Sequence, residues 1–319
     1  MPTIVLYWGN PRGFDAELRF SPFHELVFKS HQRVGNTVEL WTHQYVEPNS
    51  FVRNYKNITI KDADAFIPRE SALESLNNGH SIAHISDAVR LKRASQINGV
   101  VLDMDAVCLR PFPTDDSWFS TMPAKKAGVY APKWGKDKPP MTVHDGSWDG
   151  KELTAFPIKV APTTSQKISD LADTIMKKLA KPPKGSSDEW NSVLWTVKAI
   201  ANEDTTAKIL EPLYNCPVPT WLSEGNCYSM ESPTRLTGNR DIFGHTLPSI
   251  DEILENSYCV QHFFESAWNN ADVISDELWN SIPKGSLLYK ECELILGEEF
   301  HKRNQGIFEF AATKEGQDV

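Results

Sequence analysis

Residues 81–112 read SIAHISDAVRLKRASQINGVVLDMDAVCLRPF. Ile82, Ile85, Ala88, Val89 and Leu91 recur near helical spacing, which predicts a helix over 81–97 with these residues on its buried side. Asn98-Gly99 ends that helix. Val100-Val101-Leu102 then forms a very apolar strand that runs straight into Asp103. So abrupt a change of polarity marks the carboxyl end of a strand, and in open α/β sheets ligands bind outside that edge. The triplet Asp103-Met104-Asp105 is therefore placed where a site belongs.

Working outward, Thr3 to Trp8 (TIVLYW) reads as a buried strand leading into the loop Gly9-Asn10-Pro11-Arg12-Gly13. A helical pattern over 17–34 follows, then strands at 37–42 (TVELWT) and 57–60 (NITI). Strand, helix, strand is the opening of a parallel α/β sheet. Beyond Pro111, strands are expected at 127–130 and 153–157, and 133–150, rich in Pro, Gly, Lys and Trp, is expected to be irregular. Helices are expected at 164–180 and 188–201, a late strand at 258–264 (YCVQHFF) and a final helix at 287–304. One domain over 1–311 with a frayed tail over 312–319 accounts for the pattern.

The composition narrows the function classes. A chain of 319 residues with 40% hydrophobic and 24% charged residues is that of a globular protein able to bury a large core. Its net charge of -9, without long blocks, argues against a grip on a nucleic-acid backbone, so a phosphate ligand would need a metal ion as bridge. No stretch reaches the roughly 20 apolar residues needed for a transmembrane helix, and the first residues do not form a basic region followed by a long apolar run. The five cysteines, odd in number and scattered, point to reduced thiols and a cytoplasmic setting, lumenal only for a fragment of a longer chain. The sequon Asn57-Ile58-Thr59 would matter only in a secreted protein.

Two carboxylates one residue apart at a strand end, Asp103 and Asp105, can reach one divalent cation if the backbone turns there. Mn²⁺ or Mg²⁺ prefers such oxygen ligands and can bridge to a diphosphate. Asp87 and Arg90, spaced i,i+3 on the preceding helix, share one face. Placed beside the cleft, that pair could hold the hydroxyls of a sugar ring.

These residues resemble a known family. Ser86-Asp87-x-x-Arg90, a helix, Gly99, a β run and Asp103-x-Asp105, ending Leu109-Arg110-Pro111-Phe112, look like the sugar-binding region of DXD glycosyltransferases of the GT-A fold. The relatives are fungal-type initiating mannosyltransferases, capsular-polysaccharide transferases and the catalytic domains of clostridial glucosylating toxins. The resemblance implies an α/β, Rossmann-like nucleotide-sugar domain, its mostly parallel central sheet flanked by helices. In such a domain 1–112 would bind the nucleotide-sugar, and 113–311 would bind the acceptor and close the site. It also implies a UDP- or GDP-sugar donor, a glycan or other hydroxyl acceptor, and a retaining transfer, in which the acceptor hydroxyl attacks on the face that the diphosphate leaves and a phosphate oxygen of the donor takes its proton.

By the same resemblance, Ser86, Asp87 and Arg90 contact the donor sugar, and Tyr7, Trp8, Gly9 and Asp103 the nucleotide, with Trp8 against the base. Asp103, Asp105 and His262 hold the metal, and Ser266 and Trp268 close the diphosphate site in the pattern His…Ser-x-Trp. Asp188, Glu189 and Asn191, at the start of a helix, are candidates for the catalytic acceptor side, although an acidic helix start is also ordinary capping. Trp134, Trp148 and Trp221 are aromatic residues that could stack on acceptor sugars. Many relatives have Gly-Gly and an aromatic before the triplet, where this chain has Asn98 and Val101. Asn visits the left-handed region, so the turn is expected to survive, and the departure bears on the shape of the donor pocket. Two alternatives stand beside this reading: a haloacid-dehalogenase-type phosphatase with Asp103 as nucleophile, and a binding protein without turnover.

Overall fold

A computed structural model describes residues 1–10, 13–15, 18, 20, 22–114, 116–123, 128–130, 141–143, 151–182, 197, 199–201, 203, 206–217, 248–262, 282 and 284–301. In chain order the elements are β1 (Thr3–Tyr7), α1 (Pro22–Val34), β2 (Thr37–Thr42), β3 (Ile58–Asp62), α2 (Arg69–Asn77), α3 (Ile82–Ile97), β4 (Val100–Val101) and β5 (Ala106–Cys108). There follow β6 (Trp118–Pro123), β7 (Gly128–Tyr130), β8 (Met141–Val143), β9 (Lys151–Lys159), α4 (Pro162–Leu179), β10 (Lys208–Leu210), a short α5 (Pro212–Asn215), α6 (Ile250–Asn256), β11 (Cys259–Gln261) and α7 (Leu287–Leu296).

The central sheet has seven strands in the order β10-β6-β9-β4-β1-β2-β3. All pairings are parallel except those of β9, which runs against both β4 and β6. The chain is thus an α/β protein with a mostly parallel sheet flanked by helices. Ile4, Val5 and Leu6 of β1 are all fully buried, as a central strand covered on both faces requires. Their side chains alternate: Val5 and Tyr7 join the cluster under α3 and α4, while Ile4 and Leu6 join that of Phe28, Val38 and Leu40. A third cluster places Phe23, Leu26 and Val27 of α1 against Val107, Val260 and α7.

Local sequence explains how the chain reaches the sheet edge. Ser81 caps α3, its hydroxyl accepting from Ala83 N at 3.2 Å. Asn98 closes the helix in the left-handed region, at φ 53 and ψ 43, as expected of an Asn there. Gly99 is required by space, because a Cβ at that position would lie 2.9 Å from the Thr3 carbonyl oxygen. The close approach lets β4 enter parallel to β1, with Val5 opposite Val101.

Several expectations are corrected. The first helix begins at Pro22 rather than 17. Residues 141–143, expected to be irregular, form β8 and pair with β7. The last helix breaks at Leu296, where Gly297 takes φ 57, and a further helical turn spans 298–301. The elements α2, β5, β6, β10, α5 and α6 have no counterpart among the expected ones. Among the described residues, no helix is long and apolar enough to cross a membrane.

Candidate functional site

The strand β4 hands directly into a turn. Leu102 N continues the ladder to Val5 O at 3.3 Å, and Ala106 N returns to Asp103 O at 3.3 Å, folding the intervening aspartates onto the carboxyl edge of the sheet. The chain then becomes β5, which pairs antiparallel with β11 in the register Cys108 with Cys259, Val107 with Val260 and Ala106 with Gln261. One partner of the turn therefore comes from far along the sequence.

Beneath the turn lies Arg90, 3% exposed, with Asp87, 1% exposed, one helical turn away on α3. Its Nη2 donates to Asp87 Oδ1 at 2.8 Å, its Nη1 to Asp103 Oδ1 at 2.5 Å and to the Leu102 carbonyl, and its Nε to the Ser86 carbonyl at 3.3 Å. The guanidinium also lies 4.5 Å from the centroid of the Phe156 ring. Burial opposes its charge, but Asp103 and Asp87 outweigh burial and hold the Arg90 pKa above its ordinary value. Arg90, read from the sequence as a sugar contact, thus has every nitrogen engaged with its own protein. Its observed action is to fix Asp103.

Asp103 keeps a second face. Its Oδ2 accepts from Gln261 Nε2 at 2.9 Å, and the same nitrogen donates to Asp105 Oδ1. The Asp103 side chain remains 35% exposed, so the carboxylate bridges a buried guanidinium and the open edge. The sequence points to His262 and not to Gln261 beside it. The available signal was strand alternation in YCVQHFF, but sequence does not say which phase faces the aspartates.

The structure places His262 elsewhere. Its backbone N–H donates to Asp105 O at 3.1 Å, while its side-chain Nε2 lies 2.8 Å from Glu291 Oε2 on α7, both side chains fully buried. Its ring packs edge-on against Phe23, at 5.6 Å, on the face of β11 opposite Gln261. The expected third metal ligand is therefore not grouped with Asp103 and Asp105. Among the described residues no three His, Cys, Asp or Glu side chains form a set that could hold a metal ion.

Of the expected nucleotide contacts, Trp8 is best placed. It follows β1 directly, and since Val5 pairs with Val101, Trp8 and Asp103 both lie beyond the carboxyl ends of neighbouring parallel strands. Trp8 is half-buried, its ring 4.4 Å from that of His24. Tyr7 is instead a core residue. The Ile67 carbonyl accepts from His43 Nε2 at 2.8 Å, which leaves Nδ1 to accept from the Tyr7 hydroxyl, also at 2.8 Å. Burial, then Asp64, pushes the Tyr7 pKa up, so the hydroxyl stays protonated. Gly9 is explained by the same packing, since a Cβ there would lie 3.0 Å from the Tyr7 hydroxyl.

Cys108, Cys216 and Cys259 are fully buried near the turn, and burial pushes all three thiols up, which removes them as nucleophiles. Asp188, Glu189, Asn191, Ser266, Trp268, Trp134, Trp148 and Trp221 lie outside the described residues.

No protein-family model and no curated protein matches this chain. Among solved structures, it is similar to a PaToxG glycosyltransferase at 14% identity and a TM-score of 0.34, over 63% of this chain and 73% of that one. It is also similar to a transferase mutant with two cysteines replaced by serine, at 10% identity and a TM-score of 0.35, over 64% and 86%.

Proposed function

We propose that this chain is a metal-dependent glycosyltransferase that moves a sugar from a UDP- or GDP-sugar to a hydroxyl of a glycan or other acceptor, with retention. The observation that carries the reading is the convergence of the Asp103 and Asp105 carboxylates on one amide nitrogen at the carboxyl edge of a mostly parallel sheet. Two carboxylates that reach a common point, beside a buried amide whose oxygen has no hydrogen-bond partner among the described residues, are a donor set suited to a hard divalent ion. Asp103 and Asp105 would hold Mn²⁺ or Mg²⁺, which when bound supplies Lewis-acid stabilisation of a departing nucleoside diphosphate.

The protein's own part is positioning. Arg90 pairs with the inner oxygen of Asp103 and leaves the outer one on the Gln261 side at the sheet edge, with Asp87 holding Arg90 in turn. Trp8 offers a partly exposed ring for the base, and Ser86, half-buried on the same helix, remains the candidate for the donor sugar. Asp188, Glu189 and Asn191 are assigned to the acceptor side, and Ser266 and Trp268 to the diphosphate, on the family resemblance alone. His262 is reassigned from metal ligand to support of β11 through Glu291. In a retaining transfer no protein base is required when a donor phosphate oxygen accepts the proton, and charge stabilisation carries the catalysis.

The test is a panel of UDP- and GDP-sugars assayed for Mn²⁺-stimulated hydrolysis and transfer. One donor should be consumed, and Asp103→Ala or Asp105→Ala should abolish its use while the fold is kept. A chain that binds and consumes none overturns the reading. Turnover of an aryl phosphate abolished by Asp103→Asn would favour the phosphatase instead.

A further inference from the structure

Gln261 is 1% exposed, and its two amide atoms are treated unequally. Nε2 donates to Asp103 Oδ2 at 2.9 Å and to Asp105 Oδ1, whereas Oε1 has no hydrogen-bond partner among the described residues. A buried carbonyl oxygen is ordinarily satisfied, and one left unpaired beside a charged cluster calls for a donor or a cation. The orientation seen follows from electrostatics. Carboxylates only accept, so without a cation the N–H bonds of the amide face inward and draw the two negative groups together.

A divalent ion at the point both carboxylates reach reverses that preference. An N–H pointing at a cation is repelled, and an amide oxygen is one of the hard donors such ions take. The exchange needs little movement, because the terminal torsion of a Gln side chain is broad and roughly two-fold. The backbone is held meanwhile by the β11 register, in which Gln261 pairs with Ala106, the residue after Asp105. His262 cannot substitute, since alternation puts its ring on the other face with Glu291.

We propose that Gln261 is an amide switch: Nε2 ties Asp103 to Asp105 in the metal-free protein, and Oε1 turns in to become the third protein ligand of a divalent cation. The proposal rests on the reading that the two aspartates hold such an ion, and the experiment separates the two.

Mn²⁺ alone, without nucleotide-sugar, is titrated into the full chain and free Mn²⁺ is followed by its electron paramagnetic resonance signal. Gln261→Met keeps the length but has no amide, and should weaken Mn²⁺ binding about 10- to 100-fold. Gln261→Glu keeps the oxygen and adds charge. It should bind Mn²⁺ at least as tightly as the parent, melt at a lower temperature without metal because three carboxylates then converge, and gain more from added Mn²⁺. Parent-like Mn²⁺ binding by Gln261→Met, with binding lost in Asp105→Asn, overturns the switch and leaves the aspartate reading intact. A parent chain that binds no Mn²⁺ overturns both. If Gln261→Met does not fold, Gln261→Glu decides alone: the same metal-free melting temperature and the same Mn²⁺ shift as the parent overturn the switch.

Discussion

The two sides of Asp103 are built differently. On the α3 side, the nitrogens of Arg90 meet Asp103, Asp87 and the carbonyls of Leu102 and Ser86, so the guanidinium is fully engaged before any ligand arrives. On the β11 side, two acceptors, Gln261 Oε1 and Glu291 Oε1, are buried without a hydrogen-bond partner among the described residues. The first side is a finished mount for one carboxylate. Gln261 Oε1, beside the aspartates, gives the second acceptor capacity in reserve, and a site that binds a cation needs both: one carboxylate held still and another oxygen free to engage.

If the α3 side is finished, removing its centre should be the most damaging change. Arg90→Met keeps the bulk but leaves Asp87 buried without its guanidinium, and breaking a buried pair in this way costs about 3–5 kcal/mol. Urea denaturation without metal would measure it. Arg90→Lys should recover little, because an ammonium cannot reproduce the fork that spans two carboxylates and two carbonyls. A loss under about 1 kcal/mol would show that the mount is ordinary surface pairing.

The β11 side should respond less. Glu291→Leu removes one orphaned oxygen along with the partner of His262, so the expected loss is about 1–3 kcal/mol, from a histidine left with one bond fewer. The double variant His262→Phe with Glu291→Leu should return part of that loss, since replacing both partners by apolar groups is nearly neutral. Losses equal to that of Arg90→Met would erase the distinction between the sides.

The same division separates what the sequence discloses from what it hides. From β1 to β4 the polarity pattern is strong and the partners are near in sequence. The limits of β1, β2 and α3 are accordingly legible to within about two residues, as is the left-handed Asn98. Asp87, Arg90 and Asp103 are recognisable as a group, but their roles are not: nothing in Asp-x-x-Arg says that the guanidinium points down the helix into the protein rather than out to a ligand. Gln261 lies 156 residues from Asp105, and only the β5 and β11 register brings it there. β5 is three residues long, too short to carry a period, and α2 buries only Ala72 and Ser75, too little to print an apolar face.

A third perturbation acts on α1, which packs Phe23, Leu26 and Val27 against Val107 of β5. Burial holds His24 and His31 of α1 at about 3, against an ordinary 6.5. His31 Nδ1 accepts from Asn36 Nδ2 at 3.2 Å and lies 3.4 Å from Cys108 Sγ, within β5 itself. Both rings are neutral in the folded chain at pH 7. In the unfolded chain each takes a proton as the pH falls below its ordinary value, and the folded chain does not follow until near its own lower value. Stability is therefore fully present above the unfolded value and falls as the pH drops towards the folded one, by up to about 1.4 kcal/mol per pH unit for each ring. Urea midpoints of the parent measured from pH 7 to pH 5 should decline, and His31→Gln should lower the slope by about one ring's share. A slope unchanged by His31→Gln would mean that His31 takes up its proton in the folded chain, and that β5 yields to charge more readily than its burial implies.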